Sequence, residues 1–295
     1  MYHRAFVFCS YKLCIFGQEK HKGQPMKERF HTFQPKNPVV AKYVDYYYLD
    51  IKPENTIHTY QCFPHFNNTI SLYKSHIETG NGKVTFDENA GVLQIFTPIR
   101  QKVLHVLQSG QVHRVVIVFH PLGIQQFYNH VKFTDLTTDS EFFSSEELNL
   151  IFSTPDPELL TKLLDAFLQE RFCPFQNPIL ERSVQYVFDH CEHFTVTSLS
   201  ANLGISRQHL NRSFQTHLGV SVKKFHEIVL FRKTVHQKLF ERPDKSFTEL
   251  AYEFNYNDQS HLNKAYKNLT ENSPGSFFDQ GTVLGTQDTF WHLLS

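Results

Sequence analysis

Apolar residues follow two rhythms along this chain. From about residue 195 to 270 they return every third or fourth position, the spacing of one helix face. Between residues 39 and 119 they come in short alternating or unbroken runs of β-formers, separated by Gly, Asn and Asp. The pattern predicts strands at Asn68-Tyr73, Lys83-Phe86, Val92-Thr97, Val103-Gln108 and Val112-Phe119, with a helical turn leading into a strand over Val39-Tyr48. Ser109-Gly110 then reads as the turn of a hairpin, which would set His105 and His113 face to face. Between the two regions, Asp156-Pro157 and Asn177-Pro178 each open a helix, with Pro at its first position. Leu159, Leu163, Ala166 and Phe167 mark the apolar stripe of the first of these helices, either a dimer seam or a face packed on the β-region.

The helical region carries an internal repeat. His209-Leu210-Asn211-Arg212-Ser213-Phe214 and His261-Leu262-Asn263-Lys264-Ala265-Tyr266 are nearly one word, 52 positions apart. In the first copy Thr197 is a fair N-cap, Leu199 and Leu203 share a helix face, Gly204 breaks the helix, and Ser206 caps a second helix to about Leu218. Leu210, Phe214 and Leu218 face inward, while Gln208, Asn211, Arg212 and Gln215 lie outward at i, i+3, i+4 and i+7. In the second copy Ser246 to Glu249 forms a capping box and Asn255 takes the place of Gly204. Leu262, Tyr266 and Leu269 point in, and Gln259 or Ser260, Asn263, Lys264 and Lys267 point out. An exposed stripe of amides and cations at this spacing can present donors to base edges in a major groove. Between the copies, residues 221 to about 240 read as one helix, about 30 Å long at 1.5 Å per residue. That approaches the rise of one turn of B-DNA, about 34–36 Å.

At this point the residues resemble the DNA-binding domain of AraC/XylS-type transcriptional regulators. The likeness runs over about 195–280, through Leu203-Gly204-Ile205-Ser206 and Phe231-Arg232 to Leu250-Ala251-Tyr252-Glu253-Phe254-Asn255-Tyr256 and Ser273-Pro274. Asn255-Tyr256 stands where the family has Gly-Phe, and Asn272 where it has Gly. The resemblance implies base contacts at Gln208, Asn211 and Arg212, and at Gln259, Ser260, Asn263 and Lys264. Arg207 joins the expected DNA-binding set, with Gln215 and Lys267 at the helix edges near the DNA backbone. Whether Arg212 and Lys264 meet bases or only phosphates is left open by the sequence. The segment from Val115 to Ile124 is similar to part of a cupin-like N-terminal domain found on some members of this family.

The expected fold class is α+β: a β-barrel or sandwich-like domain at 27–155, a helical connector at 156–194 and a double helix-turn-helix domain at 195–280. Residues 1–26 are an extension and 281–295 a tail of unassigned role. Formal net charge is zero, but residues 195–280 hold 11 Lys and Arg against 8 Asp and Glu, a mild basic bias that suits a DNA-binding module. Five cysteines, an odd number without metal or redox spacing, fit a reducing cytoplasm. No apolar run is long enough to span a bilayer. The expected function is sequence-specific regulation of transcription in a bacterium, with double-stranded DNA as partner and neither cofactor nor covalent chemistry. A small-molecule effector in a pocket lined by Phe and Tyr, RNA polymerase as a partner, an activator role and homodimerisation are each compatible with this reading. A cupin-type metal enzyme with a helical appendage, or an interaction adaptor that binds no DNA, are the alternatives. The 18 histidines make chance pairs common, so His58 with His65, or His113 with His120, is weak support for a metal.

Overall fold

The structure is a computed structural model that describes residues 28–80, 82–128, 134–138 and 141–294; the expected extension at 1–26 lies outside them. Two sheets build the N-terminal part. The first is antiparallel, in the order β1 (Arg29–Phe33), β2 (Val44–Lys52), β9 (Val112–Phe119), β4 (Asn68–Tyr73), β7 (Leu93–Thr97). The second runs β10 (Gly281–Val283), β11 (Phe290–Leu293), β3 (Ile57–Cys62), β8 (Leu104–Ser109), β6 (Lys83–Phe86), β5 (His76–Glu78), with β6 and β8 parallel. Among the described residues neither sheet closes on itself, so the sandwich form of the expected architecture is the one present.

The first sheet is buried on both faces, which explains its nearly continuous apolar strands. Alternation along the strand sorts the side chains. Tyr47, Leu49, Val115, Ile117 and Phe119 join a core with Leu160, Leu164 and Leu168 of helix α3 (Pro157–Arg171). Tyr46, Tyr48, Val116 and Val118 face the other way, toward Tyr60 and Trp291 of the second sheet. Asp165, buried on α3, fixes the first arrangement by accepting the Tyr47 hydroxyl at 2.8 Å and the backbone N–H groups of Lys36 and Asn37, each at 2.8 Å.

Two expectations are corrected here. Ser109-Gly110 is no hairpin: β8 pairs with β3 and β6, while β9 pairs with β2 and β4. Gly110, at φ +93°, passes the chain from one sheet to the other, so His105 and His113 do not pair across strands. On α3 the packing face is Leu160, Leu164 and Leu168, one position on from the predicted stripe, and Leu159 is exposed. A 100° step per residue makes such a slip easy where nearly every second residue is apolar. The sequence pattern also passed over helix α2 (Ser145–Ile151), which opens with a capping box at Ser144 and Glu147.

The C-terminal part is helical. Helix α4 (Pro178–Asp189) packs into one core with α5 (Val196–Leu203), α6 (Arg207–Leu218) and the first half of α7 (Val222–His236). The second half of α7 shares another core with α8 (Phe247–Glu253), α9 (Gln259–Thr270) and α10 (Pro274–Asp279). A π-helical turn, Gln237–Glu241, prolongs α7, so the expected rod over 221–240 is present.

Burial of histidine gives the fold a pH dependence. Burial, aided by the charge of Arg232, lowers His65 to about 3, and burial with Lys74 nearby lowers His113 to about 4. Between those values and the ordinary 6.5, the unfolded chain holds protons that the folded chain does not, so stability declines on acidification through this window. The midpoint of urea unfolding is expected to fall steadily from pH 7 to pH 4.5, and His65→Gln should flatten the slope. An unchanged slope in that variant would refute the assignment.

Candidate nucleic-acid interface

The two copies of the repeat fold by the same local chemistry. Helix α5 is capped by Thr195, two residues before the expected Thr197, in a box with Ser198; α8 is capped by Ser246 in a box with Glu249. Each helix ends at a left-handed residue, Gly204 at φ +65° and Asn255 at φ +55°. The following N–H turns back to the preceding helix, Ile205 to the Ser200 carbonyl at 3.1 Å and Tyr256 to the Ala251 carbonyl at 2.8 Å. Asn thus does in the second unit what Gly does in the first. A short polar side chain then caps the next helix: Ser206 Oγ accepts from His209 N at 3.1 Å, and Asp258 Oδ1 from His261 N at 2.8 Å. The resulting helices, α6 and α9, have 12 residues each. Leu210, Phe214 and Leu218 anchor α6; Leu262, Tyr266 and Thr270 anchor α9 at the same spacing, with Leu269 beside them. Thr270 can stand where Leu218 stands because its hydroxyl donates to the Tyr266 carbonyl at 2.8 Å.

The opposite faces are open. Arg207, Gln208, Asn211, Arg212 and Gln215 on α6 are all exposed, as are Gln259, Ser260, Asn263, Lys264 and Lys267 on α9. Two of these ten also hold local structure. Asn211 Oδ1 accepts from Val222 N at 3.3 Å, steadying the start of α7, and Gln259 Oε1 accepts from the Thr248 hydroxyl at 2.8 Å. The charge distribution separates these helices from their surroundings. Lys224, Arg232, Lys233, Arg242 and Lys245 all have carboxylate partners. Arg207, Arg212, Lys264 and Lys267 have no ion pair among the described residues, and neither α6 nor α9 contains an acidic side chain.

Two helix-turn-helix units on one shared central helix define a class of DNA-binding domain. Residues 199–280 match the helix-turn-helix domain family, and the C-terminal region is an AraC-type helix-turn-helix domain. Among solved structures the chain is similar to ToxT from Vibrio cholerae, with 10% identity over 79% of this chain and 98% of that one and a TM-score of 0.45. It is also similar to the C-terminal domain of AraT, a response regulator from Geobacillus stearothermophilus (23% identity, 38% of this chain and 93% of that one, TM-score 0.34). The xylose-binding transcription activator XylR gives 17% identity over 41% of this chain and 37% of that one, with a TM-score of 0.32. No curated protein sequence matches the chain. Among the described residues, no helix is long and apolar enough to cross a membrane, and no cluster of three or more metal-ligating side chains occurs.

The β-region holds a second site that the sequence pattern did not locate. Between the sheets lies a cavity of about 100 Å³, walled by Tyr46, Tyr48, Tyr60, Tyr73 and Trp291. Arg114 reaches into this aromatic wall. Its guanidinium donates to the hydroxyls of Tyr60 at 2.8 Å and Tyr73 at 2.9 Å and to Asp50 Oδ2 at 2.8 Å. It also lies 5.2 Å from the Tyr48 ring centre and 5.5 Å from that of Trp291. Arg100, on the same cavity, is held by neutral acceptors, the Phe63 carbonyl and Asn67 Oδ1, each at 3.2 Å. The one available signal was a charge, Arg114, which with His113 interrupts the apolar run Val112–Phe119. The expected Phe and Tyr lining is in fact built from tyrosines and the single tryptophan.

The β-region grips the first recognition unit at the end of α6. Gln125 Nε2 donates to the His217 carbonyl at 2.9 Å, and Gln101 Nε2 to the Gly219 carbonyl at 3.1 Å. Gly219 has φ +70°, and a Cβ there would come within 2.9 Å of Thr134 Cα. Gly204 has nothing within 4 Å of that position. Gly204→Ala is expected to cost about 1–2 kcal/mol for its left-handed backbone. Gly219→Ala should cost more, because a collision with main chain adds to the same strain. Urea unfolding of the two variants would compare them, and equal losses would count against the close approach.

Proposed function

We propose that the protein is a sequence-specific DNA-binding transcription regulator that sets α6 and α9 into successive major grooves on one face of the double helix. Gln208, Asn211, Arg212, Gln259, Ser260, Asn263 and Lys264 read bases, while Arg207, Gln215 and Lys267 hold the sugar-phosphate backbone. The cavity between the sheets is the seat of an effector that modulates this binding. No chemical transformation is part of the function.

The observation that carries the proposal is the charge distribution on the two matched helices. A solvated helix face ordinarily mixes both signs and pairs them at i, i+4. Here four cations and the neighbouring amides stand without acidic side chains on both helices, while most cations nearby are paired. Such a surface suits a polyanion, and the amides supply what phosphates alone would not require.

Selection from a random-sequence duplex library is expected to enrich one bipartite site, with two protected stretches about 10 base pairs apart. Affinity for that site should fall steeply with salt, with a log–log slope near −0.9 for each phosphate neutralised. Failure to enrich any sequence, with salt-sensitive binding to all duplexes alike, would reduce the domain to a non-specific binder. No binding at low salt would end the proposal.

A further inference from the structure

The segment after α10 folds back onto the N-terminal part and becomes a strand of its second sheet. β11 pairs antiparallel with β3, Trp291 opposite Cys62 and His292 opposite Gln61, and Leu294 N donates to the Thr59 carbonyl at 2.8 Å. Trp291 stacks on Tyr60, ring centres 4.7 Å apart and planes within 9°. On the other side Thr286 N donates to Thr32 Oγ1 of β1 at 3.0 Å. The return needs Gly281, since a Cβ there would run into the Phe290 ring.

Asp288 lies in this segment. Its carboxylate accepts two bonds from Arg232 of α7, one of them Nε to Oδ2 at 3.0 Å, and lies 3.2 Å from His65 Nε2. Arg232 is only 3% exposed. Burial acts against the ionised carboxyl of Asp288, but the adjoining Arg232 charge together with the contacts to His65 and Arg232 outweighs it and holds the group well below the usual carboxylate range. Asp288, Thr289 and Trp291 also wall the cavity between the sheets. One short segment therefore touches the cavity, the N-terminal sheets and the middle of the helix that joins the two helix-turn-helix units.

We propose that residues 281–294 are a regulatory strap, which passes the state of the cavity to α7 through the Asp288–Arg232 pair. This rests on the regulator reading above. Whatever occupies or reshapes the cavity presses on a wall that the strap supplies. The strap is bonded to a buried cation of α7 that has no other carboxylate partner among the described residues. Displacing it changes how α7, and with it the spacing of α6 and α9, is held against the β-region. A coupling between two sites requires such a shared element with more than one arrangement.

The test uses the full chain and the duplex enriched from the random library. Asp288→Asn keeps an acceptor for Arg232 but removes the charge. It is expected to speed amide hydrogen exchange in residues 222–236 at least fivefold and to shift the Kd for the duplex at least fivefold. The charge-swapped protein, Asp288→Arg with Arg232→Asp, should return both to within twofold of the wild type. Val106→Phe, which narrows the cavity from β8, should shift Kd in the wild-type background and not in Asp288→Asn. Arg232→Gln, which breaks the same pair from the α7 side and leaves β11 in place, serves as a second release of the strap and is expected to match Asp288→Asn. Exchange and Kd within twofold of wild type in the Asp288→Asn and Arg232→Gln proteins would overturn the strap. So would a Val106→Phe shift of equal size in both backgrounds, or a charge swap that restores nothing. If the wild type binds no duplex, the regulator reading fails and the strap's output fails with it, whereas altered exchange alone would locate the failure in the DNA step.

Discussion

Replacing Arg212 and Lys264 together by alanine is expected to lower affinity for the selected duplex by about 3–5 kcal/mol, two to four powers of ten. A good bidentate contact is worth about 1–3 kcal/mol, and side chains on separate helices without a shared partner should add. Both are exposed and make no ion pair among the described residues, so the fold should be little affected, and thermal melting would check this. The comparison that decides their role is random duplex. A larger loss on the selected site assigns base contacts. Equal losses on both duplexes, with the salt slope reduced by about one for each residue, would assign phosphate contacts instead.

The second large effect concerns the β-region. Arg114→Met is expected to destabilise the protein by about 3–5 kcal/mol, the range for breaking a buried ion pair by removing one partner. Asp50 is 2% exposed and would lose the guanidinium 2.8 Å away to a thioether, with Lys52 Nζ left 4.0 Å off. The hydroxyls of Tyr60 and Tyr73 would lose the same donor. Replacing both charges, Arg114→Met with Asp50→Leu, should recover a substantial part of the loss, because no orphaned carboxylate remains. Urea unfolding of the single and double variants measures this, and a single variant within 1 kcal/mol of wild type would show that the pair adds little to the fold.

Much of the candidate nucleic-acid interface was legible as a pair of helix-turn-helix units because helix grammar is local. Ser206 and the Ser246–Glu249 box sit at the predicted helix starts, Gly204 and Asn255 at the predicted breaks, and the inward faces follow the 3.6-residue period. Asn211 and Gln259 were harder to read, since a side chain can be exposed and still brace a neighbouring helix, and spacing along one helix does not reveal that. In the β-region the strands were legible but not their partners. Gly110 marks a turn in the sequence whether the chain folds back on its own sheet or crosses to the other one. β3 and β11 escaped notice for a different reason. His58, Thr59, Gln61 and His292 interrupt the apolar pattern, and what makes these segments strands is their pairing with each other and with β8, far off in sequence. The cavity depends on that long-range pairing, so beyond the isolated charge of Arg114 no local pattern points to it.

The seam between β3 and β11 also constrains the order of events during synthesis. Cys62 leaves the ribosome long before Trp291, its neighbour across the seam. At typical elongation rates of about 5–20 residues per second, the wait is about 10–50 s. The first helix-turn-helix unit, whose contacts are mostly local, can form in that interval, whereas one edge of β3 stays bare until the β11 segment has emerged. A nascent chain in that state exposes backbone donors and acceptors to any passing strand, so premature termination near residue 280 should yield a product prone to aggregate even with both helix-turn-helix units intact.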